Sequence, residues 1–252
     1  MRNKYVSRRN YDEEKIKKNI LKRKISVWLV IIILIPTLLY ISSYVLRQKH
    51  YLFISMFILV AVMLPFFVSF EYKAIRAREI VLFAMMVSFC VSFNLLCAHT
   101  IPLHGGSAVV VLSGIALGPE AGFLTGALGR FICNFFDGQG PWTPWQMFAL
   151  GLLGFISGLV FRKDIRTKTQ RAILCLYGAL STFFIYGGIM DSAYVLMAGS
   201  EPTLAALLAA YASGLPFNLI FAGATVVFLL VLTRPILNKL RRIKKKYGLL
   251  TG

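Results

Sequence analysis

Two ionisable residues stand inside apolar stretches of this chain: Arg130, within GALGRFICNF, and Asp191, within GGIMDSAYVL. A charge in such a setting is costly inside a membrane, and it is kept where it meets a partner, a cavity or a substrate. Either the two residues form an ion pair that locks two helices, or one or both of them meet a ligand. Asn94, Asn134, Tyr186, Tyr194 and Asn218 add neutral hydrogen-bonding groups at comparable depth. Each alone reads as an interhelical clamp, and together they read as the lining of a pocket. Between two glycine-studded apolar segments lies DGQGPWTPWQ, residues 137–146. Pro141 and Pro144 stiffen it, Trp142 and Trp145 offer broad flat faces, and Gln139, Thr143 and Gln146 supply hydrogen bonds. It reads as a stiff exterior loop that covers a ligand. The competing reading of its tryptophans is an interfacial aromatic belt.

Other chemistries find little support. Neither H-E-x-x-H nor G-x-S-x-G occurs, and no paired carboxylates stand close together within the apolar segments, so a membrane-embedded enzyme is a poor alternative. Cys90, Cys97, Cys133 and Cys175 lie in apolar segments with no C-x-x-C or Cys/His pairing, which indicates neither a disulfide framework nor a metal site. No cofactor is expected. An autonomous secondary transporter is a second alternative, but no internal repeat is visible.

The elements that must position these residues follow from composition. At 252 residues and 58% hydrophobic, the chain carries more apolar surface than one aqueous core can bury, so an all-α, polytopic membrane protein is expected. The net charge of +18 sits in the gaps between apolar segments, which makes it topology information and not a nucleic-acid signal. A basic tail, 1–24, precedes apolar runs at 25–46 and 51–70 that read as a transmembrane hairpin, 25–70. Beyond it come segments at 79–99, 107–117, 120–136, 145–161, 172–197 and 203–232, a six-helix core spanning 79–233, and a second basic tail, 234–252. The segment 107–117 is too short for an ordinary span. About eight spans result, with both termini cytoplasmic. This count leaves only Arg47 and Lys49 outside and Arg130 within a span, an asymmetry that one helix more or fewer would destroy. It also brings the loops at 99–106, 137–146 and 198–202 to the outer face together.

Small residues recur at helical spacing. Gly122, Gly126 and Gly129, and then Gly151, Gly154 and Gly158, read as internal packing stripes. The stripe Ala84, Ser88, Ser92 either packs internally or faces a separate membrane partner.

The segments REIVLFAMMVSFCVSFN (78–94), IPLHGGSAVVVLSGIALGPEAGFLTGALGRF (101–131), NFFDGQGPWTPWQMFALGLLGFISGL (134–159) and GLPFNLIFAGATVVFLL (214–230) resemble the substrate-binding S component of energy-coupling factor (ECF) vitamin transporters, most of all its cobalamin-type members. The resemblance implies a six-helix core that captures a vitamin or vitamin precursor, cobalamin favoured, under the three exterior loops. It further implies docking on a transmembrane coupling subunit whose two ATPase subunits drive uptake across the cell membrane. The absence of a Walker motif accords with ATP being used by separate subunits. The candidate ligand set is then Asn94, Arg130, Asn134, Gln139, Trp142, Thr143, Trp145, Gln146, Tyr186, Asp191, Tyr194 and Asn218. Ala84, Ser88 and Ser92 form the candidate docking face, with serine where the family often has alanine. The amino-terminal hairpin is an extension that the core does not require.

Overall fold

A computed structural model describes residues 60–61, 63–64, 77–100, 105–161, 165, 167–198 and 203–247. The basic tail 1–24 lies outside the described residues, as does all of the expected hairpin 25–70 except four helical residues at 60–61 and 63–64. The described helices of the core all belong to the compact unit Phe66–Gly252.

Among the described residues of this unit, six helices follow one another: α1 (Ala77–Thr100), α2 (Gly106–Leu117), α3 (Pro119–Asp137), α4 (Thr143–Val160), α5 (Lys168–Met197) and α6 (Leu204–Tyr247). Four of them, α1, α4, α5 and α6, are long and apolar enough to cross a membrane, so the chain is a multi-pass membrane protein, all-helical among its described residues. The helix α3 has sufficient length but carries Glu120, Arg130 and Asp137. At 12 residues α2 extends only about 18 Å, well short of a hydrocarbon core about 30 Å thick. Its sequence, GSAVVVLSGIAL, is apolar all round, as suits a helix enclosed by others. Every residue of α2 except Ile115 is buried, and α1, α3, α4 and α6 pack around it.

The turn between α2 and α3 is made by Gly118 at φ +104°, a conformation that disfavours side chains, followed by Pro119 in the first turn of α3. Then α3 and α4 run antiparallel in a regular register. Arg130 meets Gln146, while Gly126 faces Leu150, Gly122 faces Gly154, and Gly158 faces Pro119. A Cβ placed on Gly126 would lie 2.5 Å from the Leu150 carbonyl oxygen, and one on Gly122 would lie 2.5 Å from that of Gly154. The glycine stripes are therefore internal packing, since only glycine permits such backbone approach.

The α5–α6 pair is also antiparallel, with contacts at Gly178/Leu229, Thr182/Thr225, Asp191/Asn218 and Ser192/Tyr211. A capping box starts α5: the Thr167 hydroxyl accepts from Gln170 N–H while the Gln170 side chain accepts from Thr167 N–H. Its middle, Ser181–Gly187, is π-helical, a widened form that recurs near functional sites. The helix α6 continues past 233, where the sequence suggested that the core ends, through the basic stretch to Tyr247. Leu237 and Leu240 remain buried in the core cluster and Ile236 and Ile243 pack against it. An apolar face at helical spacing within a basic segment accounts for this continuation.

Candidate functional site

The expected ten-residue loop is shorter than its composition suggests. The helix α3 runs on to Asp137 and α4 begins at Thr143, so the connection is only Gly138–Trp142. Pro144 does not break the helix because it occupies the first turn, where its missing N–H has no intrahelical acceptor to lose. Gly138, at φ +103°, makes the turn. Consequently Thr143, Trp145 and Gln146 are rigid helix residues and not loop residues.

This geometry brings five candidate residues into one network. Arg130 Nε donates to Gln146 Oε1 at 3.0 Å, and Asn134 Nδ2 donates to the same oxygen at 2.9 Å and to Thr143 Oγ1 at 3.1 Å. The Thr143 hydroxyl donates to Gln139 Oε1 at 2.9 Å and accepts from Gly140 N–H at 3.2 Å. Gln139 Nε2 in turn donates to the Phe131 carbonyl at 3.2 Å. Arg130 Nη1 reaches Asp137 Oδ2 at 3.3 Å. The proposed Arg130–Asp191 ion pair is thus not formed. Asp137 stands seven residues on from Arg130, two turns along the same helix face, and is the nearer carboxylate. That spacing was visible in the sequence, although Asp137 was not among the candidates.

Two polar atoms in this region have no hydrogen-bond partner. Asn134 is fully buried at 0% exposure, yet its Oδ1 is unpartnered, and the buried Trp145 Nε1 is unpartnered too. Trp142 is 39% exposed and lies on Gly140, where a Cβ would come within 2.5 Å of its ring.

A second cluster forms between α5 and α6. Asn218 Nδ2 donates to Asp191 Oδ2 at 2.7 Å, and Gly187 and Gly214 leave room for these two side chains. Tyr211, absent from the candidate set, exchanges a 2.8 Å hydrogen bond with Ser192 and donates to the Gly188 carbonyl at 3.2 Å. Tyr186 packs edge-on against Phe221 with centroids 4.7 Å apart. Tyr194 is 62% exposed.

Asn94 is drawn to a third place. Its Oδ1 accepts from Gly106 N–H at 3.2 Å, satisfying one of the free amides at the start of α2. Ser107, Thr182 and Thr225 form a buried hydroxyl chain linking α2, α5 and α6, with Ser107–Thr225 at 2.6 Å and Thr182–Thr225 at 3.2 Å. Hydroxyls contributed by three distant segments gave no sequence signal. Ala84, Ser88 and Ser92 all lie on the exposed face of α1, and the Ser88 hydroxyl is turned back onto the Ala84 carbonyl at 2.9 Å. Among the described residues, no three His, Cys, Asp or Glu side chains converge as a metal site would require.

Residues 74–241 match the family described as "ECF-type riboflavin transporter, S component". The chain is also similar to a UPF0397 protein of Aster yellows witches'-broom phytoplasma (strain AYWB), at 29% identity over 130 residues, covering 47% of this chain and 69% of that protein. UPF0397 proteins of Vibrio atlanticus (strain LGP32) and Aliivibrio salmonicida (strain LFI1238) are 28% and 31% identical over 125 residues, each match covering 50% of this chain and 63% of the relative. The chain therefore spans less than two thirds of the length of these last two relatives. No solved structure matches.

Proposed function

The chain belongs to the family of S components of ECF-type riboflavin transporters, and from that membership we propose that it captures a riboflavin-like vitamin at the outer face of the cell membrane and hands it to an ECF module for ATP-driven uptake. Such a chain is a transport subunit and not an enzyme. The observation that carries the reading is the network of Arg130, Asn134, Gln139, Thr143 and Gln146, with Asn134 and Thr143 buried, at the Gly138–Trp142 end of the α3–α4 pair. Thr143 begins α4 and Lys168 begins α5 after it, so this polar end lies a helix length away from the basic residues Lys168 and Arg171. The positive-inside rule then favours an exterior site. It likewise supports a core returning both termini to the cytoplasm, with the amino-terminal hairpin completing about eight spans.

Riboflavin replaces cobalamin as the favoured ligand, because the matched family carries riboflavin in its description and the chemistry agrees. Arg130 is met by Asp137 and Asp191 by Asn218. What remains is neutral hydrogen bonding beside aromatic faces, which suits a flat uncharged heterocycle. The exposed Ala84, Ser88, Ser92 stripe is the proposed contact with the coupling subunit, since small side chains allow close helix approach.

The test is to purify the full chain alone in detergent, record native mass spectra, and run a thermal-shift panel of riboflavin, cobalamin, thiamin and pyridoxine. Retention of riboflavin, or stabilisation by it, is the expected result. Stabilisation by cobalamin alone would restore the ligand first suggested by the sequence, and a flat response across the panel refutes the reading.

A further inference from the structure

The hydrogen-bond directions in the α3–α4 network are not free to vary. Arginine Nε can only donate, so the Gln146 atom that it meets at 3.0 Å is the amide oxygen. An oxygen there requires that the Asn134 atom facing it at 2.9 Å be the amide nitrogen. The second contact of that nitrogen agrees, because the Thr143 hydroxyl sends its proton to Gln139 Oε1 and is left as an acceptor. Asn134 Oδ1 is thereby fixed as an acceptor in a fully buried side chain, and it has no partner. Trp145, which lies between the two α4 residues that Asn134 touches, buries an indole N–H that can only donate and also has none. Buried polar groups are nearly always paired, and leaving one unpaired is costly. One unused acceptor on α3 and one unused donor in the first turn of α4 specify what would satisfy them.

We propose that Asn134 Oδ1 and Trp145 Nε1 together read an edge of the ligand that presents an N–H beside a C=O, as the imide edge of a pyrimidinedione ring does. This deepens the S-component reading and rests on it. Arg130 then acts as a positioning residue, with its proton setting Gln146 and Gln146 setting Asn134. Its charge is directed to Asp137 and so does not select an anionic ligand.

The experiment titrates the full chain in detergent with riboflavin and with 3-methylriboflavin, in which the ring N–H is replaced by N–CH3, following tryptophan fluorescence. In the wild-type protein the methyl derivative binds about ten-fold or more weakly, the scale of a buried hydrogen bond left unmade. Asn134→Ala weakens riboflavin and binds the two compounds equally. Trp145→Phe, which keeps an aromatic ring and removes only the N–H, weakens riboflavin several-fold and leaves the preference between the compounds intact. If Asn134→Ala does not fold, the wild-type comparison and Trp145→Phe still decide. Equal wild-type affinity for the two compounds overturns the proposal, as does a preference that survives in Asn134→Ala. Binding only of a vitamin with no adjacent N–H and C=O, such as thiamin, overturns the edge while leaving the transport reading intact. Binding of no vitamin overturns both.

Discussion

Gly126 lies one turn below Arg130 on α3, and Leu150 lies one turn below Gln146 on α4, so their contact sets the separation at which the network above is made. A methyl group at 126 would sit 2.5 Å from the Leu150 carbonyl oxygen, 2.6 Å from its carbon and 2.7 Å from Gly151 N, all of them backbone atoms that no rotamer change can move. To reach the 3.0 Å that real Cβ contacts respect, the helices must part by about 0.5 Å, from 2.5 to 3.0 Å. Passed up one turn, that displacement lengthens the Arg130–Gln146 hydrogen bond from 3.0 Å to about 3.5 Å, at the edge of hydrogen bonding. Overpacking of this kind costs about 1–3 kcal/mol. Gly→Ala within a helix returns up to about 1 kcal/mol.

Gly126→Ala should therefore destabilise the protein by on the order of 1–2 kcal/mol, and it should weaken riboflavin binding because Gln146 no longer fixes Asn134. Gly223→Ala is the control. It is exposed on α6, a Cβ there meets nothing within 4 Å, and the helix-propensity gain should stand alone. Thermal unfolding can be followed with a thiol-reactive dye, since Cys90, Cys133 and Cys175 are buried and become reactive as the fold opens. The expected result is a melting temperature several degrees lower for Gly126→Ala and unchanged or higher for Gly223→Ala. If the two variants behave alike, the close α3–α4 contact does not exist and the register derived from it is wrong.

Further expectations concern topology, docking and the second cluster. A cysteine at Pro141, in the exposed turn, should react with an impermeant thiol reagent in intact cells while one at Lys168 should not; the reverse pattern would invert the orientation. Thr143 is unsuited to this probe because it is buried and bonded within the network. Ser88→Trp should abolish uptake and leave the ligand affinity of the isolated chain unchanged, and loss of binding in the isolated chain would assign the stripe to the fold instead. Trp142→Ala should weaken riboflavin by about ten-fold if its ring stacks on the ligand, whereas wild-type affinity would make it an interfacial anchor. Asp191→Ala strands the Asn218 amide and should lower thermal stability, with little effect on affinity if the pair is structural; a large loss of affinity at unchanged stability would bring Asp191 to the ligand.

Much of this site was legible because its residues share one helix pair. The stripes Gly122, Gly126, Gly129 and Gly151, Gly154, Gly158 read as internal packing from their helical spacing, and the polar residues beyond them stood out by residue type within apolar segments. What the sequence hid was pairing. Arg130 and Asp191 were matched because both are charges in apolar segments, but an i, i+7 partner on the same face needs no tertiary contact to be close, and Asp137 takes it. The prolines misled about the extent of the loop, because Pro144 in a first turn begins a helix as readily as it would interrupt one. The hydroxyl chain Ser107–Thr225–Thr182 was invisible for a different reason. Its members are 118 and 43 positions apart, and small hydroxyls in apolar helices carry no period of their own.

The change of residue size along α3 and α4 changes the kind of contact between them. At Gly122/Gly154 and Gly126/Leu150 the backbones touch, with no side chain between them that a methyl group would not displace. One turn further on, the gap is spanned by an arginine and a glutamine joined end to end, and beyond it by Asn134 reaching Thr143. The α3–α4 contact thus changes along the pair from backbone against backbone to side chain against side chain. The side-chain end of the pair carries Trp142, Trp145 and the unpartnered Asn134 carbonyl. Close packing and the polar network are carried by the same pair of helices, separated only by which turn carries glycine and which carries arginine.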